Sequence, residues 1–230
     1  MSARIERGIQ VLGWLALVLM LISVFGALVW SPAERVMGDA FRILYFHAPS
    51  AWMAYVAFGV VFVASLVYLV TRDRRWDTLA LSSAELGVVF ATLAILTGCL
   101  WGQAIWGICW TWSDMRLTLT FFLWFIYVAY LMLRAYTDPG PQQARLSSVI
   151  AVTGVPVIVL NHFAVRIWRT QHPVPVVMRE GGPAMEPTMV AVLMISLVAF
   201  TLTYIYLLAH RVRLERTRIL LRSFQERLSF

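Results

Sequence analysis

Six stretches of this sequence run for 17 to 29 positions without a charged residue, and they limit the fold more than any other feature. A helix that crosses the hydrocarbon core of a membrane needs about 20 consecutive, mostly apolar residues. The composition agrees, because 60% of the residues are hydrophobic and only 13% are charged, against about 25% charged residues in soluble domains. The sequence therefore predicts an all-α integral membrane protein with six transmembrane helices.

The charge-free stretches also set the expected boundaries within a single membrane domain. The first is too long for the apolar region of a signal peptide and no small-residue cleavage site follows it, so we expect it to remain as a span. The fourth is short, but its flanking arginines can extend their stems toward the interfaces. The predicted spans are about residues 9–30, 49–70, 80–100, 117–134, 147–165 and 189–209.

The arginines predict the orientation. All 19 basic residues are arginine, and 13 of them fall on the inner side, against 6 on the outer side, if both termini are cytoplasmic. Cytoplasmic loops carry the basic excess in membrane proteins, so we expect this orientation. In a chain this apolar, we expect the excess of basic residues to contact anionic membrane lipid rather than nucleic acid. Residues 211–230 are expected to form a basic amphipathic helix, either as a solvated orientation signal or as a docking site for a cytoplasmic partner.

Three predicted outer loops carry the unusual residues. The first ends F-R-I-L-Y-F-H-A-P-S-A-W and contains His47, and the third contains His172 in a stretch rich in Pro and Gly. Because each histidine has a proline within two residues, we expect both on non-helical backbone. The second loop, residues 101–116 between the third and fourth helices, reads W-G-Q-A-I-W-G-I-C-W-T-W-S-D-M-R.

Four tryptophans within twelve residues exceed what anchoring at a membrane interface requires. They are Trp101, Trp106, Trp110 and Trp112. Indole rings offer flat apolar faces with one N–H donor at the edge, which suits a flat apolar ligand with polar edges. An ordinary interfacial aromatic belt is the alternative, and composition alone does not decide between them.

Haem fits the residues of the predicted outer loops. Its iron takes imidazole ligands and its propionates pair with arginines. His47 and His172 are candidate axial ligands, with His162 in reserve. Asp114 is also well placed to cap the next helix. Zinc fits less well because no Cys/His cluster has the usual spacing. The candidate propionate partners are Arg42, Arg116, Arg166 and Arg169.

Two cysteines, Cys99 and Cys109, lie near the tryptophans. No C-x-x-C-H occurs, so covalent attachment of haem in the usual c-type manner is not expected. A disulfide is one alternative, but we expect the two to be buried as small apolar side chains. No G-x-x-x-x-G-K-[ST] motif is present, so any energy from ATP has to come from a partner.

The stretch L-T-G-C-L-W-G-Q-A-I-W-G-I-C-W-T-W-S-D-M-R-L-T resembles the WWD signature of haem-handling membrane proteins. Y-F-H-A-P-S-A-W and I-W-R-T-Q-H resemble the histidine motifs that flank it in the haem exporter protein C family, also called cytochrome c maturation protein C. The resemblance covers the whole chain. Two departures stand out: Ser113 separates Trp112 from Asp114, which are adjacent in the family, and Cys109 lies where another Trp is common.

The resemblance implies that His47 and His172 are the axial ligands of haem b, and that the four tryptophans with Asp114 hold one edge of the porphyrin. It implies binding at the outer face of the bacterial inner membrane and delivery to a periplasmic haem chaperone during c-type cytochrome biogenesis. Implied partners are an ATP-binding subunit, a second membrane subunit and a small single-span subunit of a haem-export complex. The implied role is haem handling rather than enzymatic catalysis, with lyase-like promotion of attachment to the chaperone as a compatible addition.

Two other classes compete with this reading. A b-type haem subunit of a redox enzyme places paired histidines inside its spans, and only His162 and His210 approach such positions. A transport permease needs ionisable groups in the middle of its spans, and the sequence places none there.

Overall fold

The computed structural model describes residues 3–168, 170–172, 182–183 and 185–228, apart from the side chain at 226. A π-helical turn, Gly26–Trp30, follows the first helix, and a 3-10 turn, Asp39–Ile43, leads into the second. All six helices are long and apolar enough to cross a membrane, which confirms the predicted class. They are α1 (Ala3–Phe25), α2 (Leu44–Thr71), α3 (Arg74–Trp106), α4 (Met115–Tyr136), α5 (Pro141–Ile167) and α6 (Pro187–Leu228).

Several helices extend beyond the predicted spans. α3 continues through Trp106, so residues 101–106 of the expected outer loop are helical. α5 begins at Pro141, because the first turn of a helix has no use for the amide that proline lacks. α6 runs without interruption to Leu228, so residues 211–228 form one helix with the last span.

A two-residue turn joins α2 to α3. Arg72 ends α2 in the left-handed conformation with φ of 58°. Asp73 then caps α3 by accepting a 2.9 Å hydrogen bond from the Arg75 amide. Because the turn is so short, α2 and α3 form a tightly packed antiparallel hairpin, while α1 packs on α6 and α4 packs on α5.

Stacked aromatic rings fill the middle of the bundle. The rings of Phe58 and Tyr127 lie 3.7 Å apart and nearly parallel, and both side chains are fully buried. A Cβ at Gly87 would collide with the Phe58 ring, and one at Gly154 would lie 2.8 Å from the Tyr127 ring. The two glycines therefore allow α3 and α5 to close on the ring pair from opposite sides.

Charged pairs join the helices at one end of the bundle. Arg134 of α4 binds Asp77 of α3 through both guanidinium nitrogens. Arg211 of α6 binds Glu85 of α3 and also Glu215. This end carries the beginning of α1, the α2–α3 and α4–α5 turns and the end of α6, and we call it the terminal face. The opposite end, which carries residues 31–43, 107–114, 168, 170–172, 182–183 and 185–186, we call the loop face.

Candidate functional site

His47 belongs to a helix rather than to a loop. It lies in the first turn of α2, which begins at Leu44, and Pro49 also lies inside that helix. The expectation of non-helical backbone at His47 was therefore wrong. The physical reason is that Pro49 falls near the beginning of α2, and helices tolerate proline best near their first turn.

Two acceptors fix the orientation of the His47 ring. Its Nδ1 lies 3.0 Å from the carbonyl oxygen of Ala94 and 3.1 Å from Oγ1 of Thr97, both on α3. A carbonyl can only accept, so Nδ1 carries the proton and the lone pair is on Nε2. Gly98 leaves room for this ring, since a Cβ there would lie 3.0 Å from Cε1 of His47. A histidine held in this way is oriented as metal-ligating histidines are.

His172 lies opposite His47 at the loop face. The two ring centroids are 6.4 Å apart with an angle of 39° between the planes, and the His172 ring is 6.5 Å from that of Trp101. The preceding residue, Gln171, donates its backbone N–H to Oδ2 of Asp114 at 2.7 Å. The loop that carries His172 is thus tied to the tryptophan segment.

Asp114 has the capping role that the sequence predicts. Its Oδ1 accepts hydrogen bonds from the amides of Arg116 at 2.9 Å and Leu117 at 3.1 Å, at the beginning of α4. The side chain is buried, with 3% of the residue exposed. One carboxylate oxygen therefore caps α4, and the other binds the loop that carries His172.

The tryptophans divide between helix and loop. Trp101 and Trp106 lie in the last turns of α3 with their rings 5.2 Å apart, and Trp101 is buried. Trp110 and Trp112 follow in the loop, 5.6 Å apart, and both contact Phe121 of α4 edge to face. Only Trp112 of the four is mostly exposed, at 62%. We expected all four tryptophans in one loop, and the structure places only Trp110 and Trp112 there.

A disulfide joins Cys99 of α3 to Cys109 of the loop, with their Cα atoms 4.3 Å apart. The expectation that both are buried as unpaired apolar side chains was wrong. Gly107 ends α3 in the left-handed conformation at φ of 71°, which reverses the chain and returns Cys109 to the last turns of the helix. The bond fixes the beginning of the loop against α3.

A cavity of about 60 Å³ lies beside the two histidines. This volume accommodates about two water molecules, so the described residues do not enclose a large ligand. Its small-residue lining comes from α2 and α3, and Leu123 of α4 also lines it. The small side chains are Ala51, Ala54, Ala91, Ala94 and Gly98.

Three polar groups at the site lack a partner within the described chain. The indole Nε1 atoms of Trp101 and Trp110 are buried without a hydrogen bond. The guanidinium of Arg116, which lines the cavity, makes no ion pair or hydrogen bond with the residues described. Buried donors are costly when unsatisfied, so these groups favour an anionic or carbonyl-bearing ligand at the site.

The other candidate arginines are placed differently. Arg42 donates to Oδ1 of Asp39 at 2.8 Å and to the carbonyl of Ala27 at 2.7 Å, so its guanidinium ties the first loop to the π-helical turn that follows α1. Arg166 is exposed at the end of α5. Arg169 lies outside the described residues.

The remaining histidines lie apart from this cluster. His162 packs edge to face on Phe163 at 5.1 Å and is exposed. His210 packs on Tyr206 at 4.6 Å near the terminal face. Among the residues that the structure describes, no group of three or more His, Cys, Asp and Glu side chains could hold a metal ion. The pair of His47 and His172 is therefore the remaining candidate for metal ligation among the described residues.

The spacing of His47 and His172 is compatible with a metal ion between the two rings. Two imidazoles bonded to one metal ion hold their ring centroids roughly 6 Å apart, because each metal–nitrogen bond is about 2 Å long. The observed separation is 6.4 Å. The residues that sequence reasoning missed are the Ala94 carbonyl, Thr97, Gly98 and Gln171, whose roles depend on how α2, α3 and the loops pack.

Known proteins were compared with the whole chain. A family model described as Heme exporter protein C matches residues 2–228. A Heme exporter protein C from Bradyrhizobium diazoefficiens is 34% identical over 220 residues, covering 94% of this chain and 82% of the relative. One from Haemophilus influenzae is 30% identical over 202 residues, covering 88% and 82%. A ccmC-like mitochondrial protein of Marchantia polymorpha, assigned to cytochrome c biosynthesis, is 27% identical over 202 residues, covering 87% and 83%. The chain therefore belongs to the Heme exporter protein C family.

Proposed function

We propose that this protein binds haem b at the outer face of the bacterial inner membrane and delivers it to a periplasmic haem chaperone during c-type cytochrome biogenesis. The names of its relatives support haem export and cytochrome c biosynthesis. Six helices able to span a membrane support a multi-pass location. The single observation that carries the proposal is the separation of 6.4 Å between His47 and His172.

The two histidines are the proposed axial ligands of the haem iron. The hydrogen bond from His47 Nδ1 to the Ala94 carbonyl directs the lone pair of Nε2 to a ligand. Asp114 holds the backbone next to His172. The His47 ring and the backbone beside His172 are thus held by groups outside the site, which lowers the entropy cost of bringing the two imidazoles to one iron.

Arg116 and the indole N–H groups of Trp101 and Trp110 are the proposed partners of polar groups on the porphyrin edge. Haem carries two propionates, and arginine pairs with carboxylates through strong charge-assisted hydrogen bonds. Arg116 lines the cavity beside both histidines. The packing of Trp101 against His172 supports apolar contact near the ligand.

The small cavity supports the proposed delivery. A cavity of about 60 Å³ leaves most of a porphyrin outside it, available to a second protein. Trp112 is 62% exposed beside the site and offers an apolar surface to that partner. We place the loop face in the periplasm because arginines are concentrated on the terminal face.

The proposed setting is a haem-export complex. The family resemblance implies an ATP-binding subunit in it, which would supply any energy from ATP because the sequence carries no phosphate-binding loop of its own. A second membrane subunit and a small single-span subunit complete it. Haem handling rather than catalysis is the proposed role of this chain.

The test is a haem assay on the purified full chain, co-expressed with the chaperone, comparing wild type with His47→Ala and His172→Ala. Wild type is expected to carry six-coordinate, low-spin haem, and each variant to lose haem or the six-coordinate spectrum. The matched control is His162→Ala, because His162 is also near the loop face but packs on Phe163 away from the site.

Unchanged spectra in both site variants would remove these ligands from the proposal. A loss of haem only in His162→Ala, together with quinone turnover, would support the redox-subunit class instead. If a variant keeps its haem but no longer supports covalent loading of the chaperone, binding and delivery depend on different residues.

A further inference from the structure

Three arginines surround an open cleft on the terminal face, far from the histidines. The cleft has a volume of about 730 Å³ and no acidic residue among its lining. We call it the arginine cleft. It is lined by Tyr68, Arg72, Arg74, Pro141, Gln142 and Arg145.

The arginines come from three different elements. Arg72 ends α2, Arg74 begins α3, and Arg145 lies in the second turn of α5. Tyr68 links two of these elements, because its hydroxyl donates to the carbonyl of Pro141 at 3.4 Å. Its ring also lies 5.9 Å from the Arg72 guanidinium carbon. The walls of the cleft are therefore packed helix ends, not loops.

The arginines of the cleft differ from two other arginines of the terminal face, which are paired with acids. In the neighbouring cavity of the terminal face, Arg134 is paired with Asp77 and Arg211 with Glu85. Within the described part of the chain, Arg72, Arg74 and Arg145 take part in no ion pair.

The nearest acids along the chain do not line the cleft. Asp73 uses Oδ1 to cap α3, and Asp138 lines the neighbouring cavity instead. The cleft also borders the beginning of α5, whose N-cap, Gly140, provides no side-chain hydrogen bond. The positive end of this helix adds to the three guanidinium charges.

We propose that the arginine cleft binds a phosphate group, supplied by the headgroup of an anionic phospholipid. Guanidinium groups recognise phosphate oxygens through paired hydrogen bonds. The cleft lies where three apolar helices end, which is the level of lipid headgroups. Basic pockets between transmembrane helices on the cytoplasmic side bind anionic headgroups in other membrane proteins.

The experiment uses the full chain reconstituted in vesicles of phosphatidylcholine with phosphatidylglycerol, then extracted in mild detergent. Native mass spectrometry measures the phosphatidylglycerol retained. Wild type is expected to retain it in preference to phosphatidylcholine. Arg145→Gln is expected to bind about fivefold more weakly, and the triple variant Arg72→Gln, Arg74→Gln, Arg145→Gln about a hundredfold more weakly.

Arg75→Gln is the matched control, because Arg75 is an exposed neighbour of Arg74 that does not line the cleft. Arg145→Lys keeps the charge but loses the paired hydrogen bonds of a guanidinium, so it is expected to restore only part of the retention lost in Arg145→Gln. Arg145 makes no structural contact that its replacement would break among the described hydrogen bonds, so this variant tests the site even where the triple variant does not fold.

Adding inorganic phosphate distinguishes a site for a lipid headgroup from a site for free phosphate. Retention that persists supports the lipid headgroup, whereas displacement at millimolar phosphate supports a site for free phosphate and overturns the lipid assignment. Equal retention in wild type, Arg145→Gln and Arg75→Gln overturns the site altogether. Haem content is expected to be the same in all of these variants, so the result is separate from the proposed haem function.

Discussion

The side chain of Asp114 accepts the backbone N–H of Gln171 at 2.7 Å while its other oxygen caps helix α4. One buried carboxylate therefore connects the tryptophan loop with the loop that carries His172. The structure supplies a physical reason for a carboxylate at this position: one oxygen binds the beginning of α4, and the other binds a backbone amide 57 residues further along the chain.

Replacing Asp114 with alanine removes both contacts. The lost cap costs about 1 kcal/mol of stability, and the segment at Gln171 loses its anchor. We expect Asp114→Ala to bind haem with one strong axial ligand, which optical and electron paramagnetic resonance spectra would report as loss of the six-coordinate low-spin state.

Asp73→Ala is the matched control for this prediction. Asp73 caps α3 through the same kind of bond, but at the terminal face. It is expected to lower thermal stability by a similar amount and to leave the haem spectrum unchanged. If both variants change the spectrum equally, Asp114 acts through general stability and not through His172.

Gly98→Ala tests the space beside His47. The added Cβ would lie 3.0 Å from Cε1 of the imidazole, closer than ordinary contact, so the ring has to move from the Ala94 carbonyl. We expect haem affinity to fall about tenfold, equivalent to about 1.4 kcal/mol. Haem titration of the purified apoprotein measures it.

Gly59→Ala makes the same chemical change in the middle of α2, where nothing lies within 4 Å of the new Cβ. Alanine is the better helix former by about 1 kcal/mol. This control is expected to keep wild-type affinity with equal or higher stability. A Gly98→Ala variant with unaltered affinity would show that the ring position does not control binding.

The charge-free stretches predict the number and class of helices because a membrane span has a simple physical requirement of length and polarity. Helix ends are less predictable. α3 continues through Trp106 because nothing in W-G-Q-A-I-W stops a helix until Gly107 adopts a positive φ. A pattern of tryptophans alone contains no such stop signal, so the loop was predicted to begin too early.

At the site, too, the sequence predicts some features, while others depend on how the helices pack. His47, His172 and the tryptophans can be selected by residue type and order along the chain. The acceptor of the His47 ring cannot, since the Ala94 carbonyl is 47 positions away and is brought there by the packing of α2 on α3. Likewise, Arg42 and Arg116 are equivalent candidates in sequence, and only the fold shows that Arg42 already binds Asp39 and Ala27.

The disulfide between Cys99 and Cys109 predicts a dependence on redox conditions. Cys109 is exposed, so a reductant has access to the bond. A disulfide that closes a loop of this length contributes roughly 2 to 3 kcal/mol in the chain-entropy model. We expect dithiothreitol to lower the thermal stability of wild type and weaken haem retention by loosening residues 107–114 against α3.

The double variant Cys99→Ser, Cys109→Ser is the control, and it is expected to retain haem as weakly as reduced wild type and to be insensitive to dithiothreitol. Alkylation with a maleimide under denaturing conditions, before and after reduction, counts the free thiols. Labelling of both cysteines without reduction would contradict the bond.

Arg116→Gln and Arg42→Gln separate a ligand contact from a structural one. Arg116 lines the cavity and makes no ion pair with the described residues. Under the proposed function its loss removes a charge-assisted bond to a propionate, a bond of about 1.5 to 3 kcal/mol. We expect haem affinity to fall at least tenfold while bound haem stays six-coordinate, because the histidines are untouched. Arg42→Gln breaks the contacts to Asp39 and Ala27, so it is expected to lower thermal stability with little change in affinity. The reverse pattern would identify Arg42 as the propionate partner.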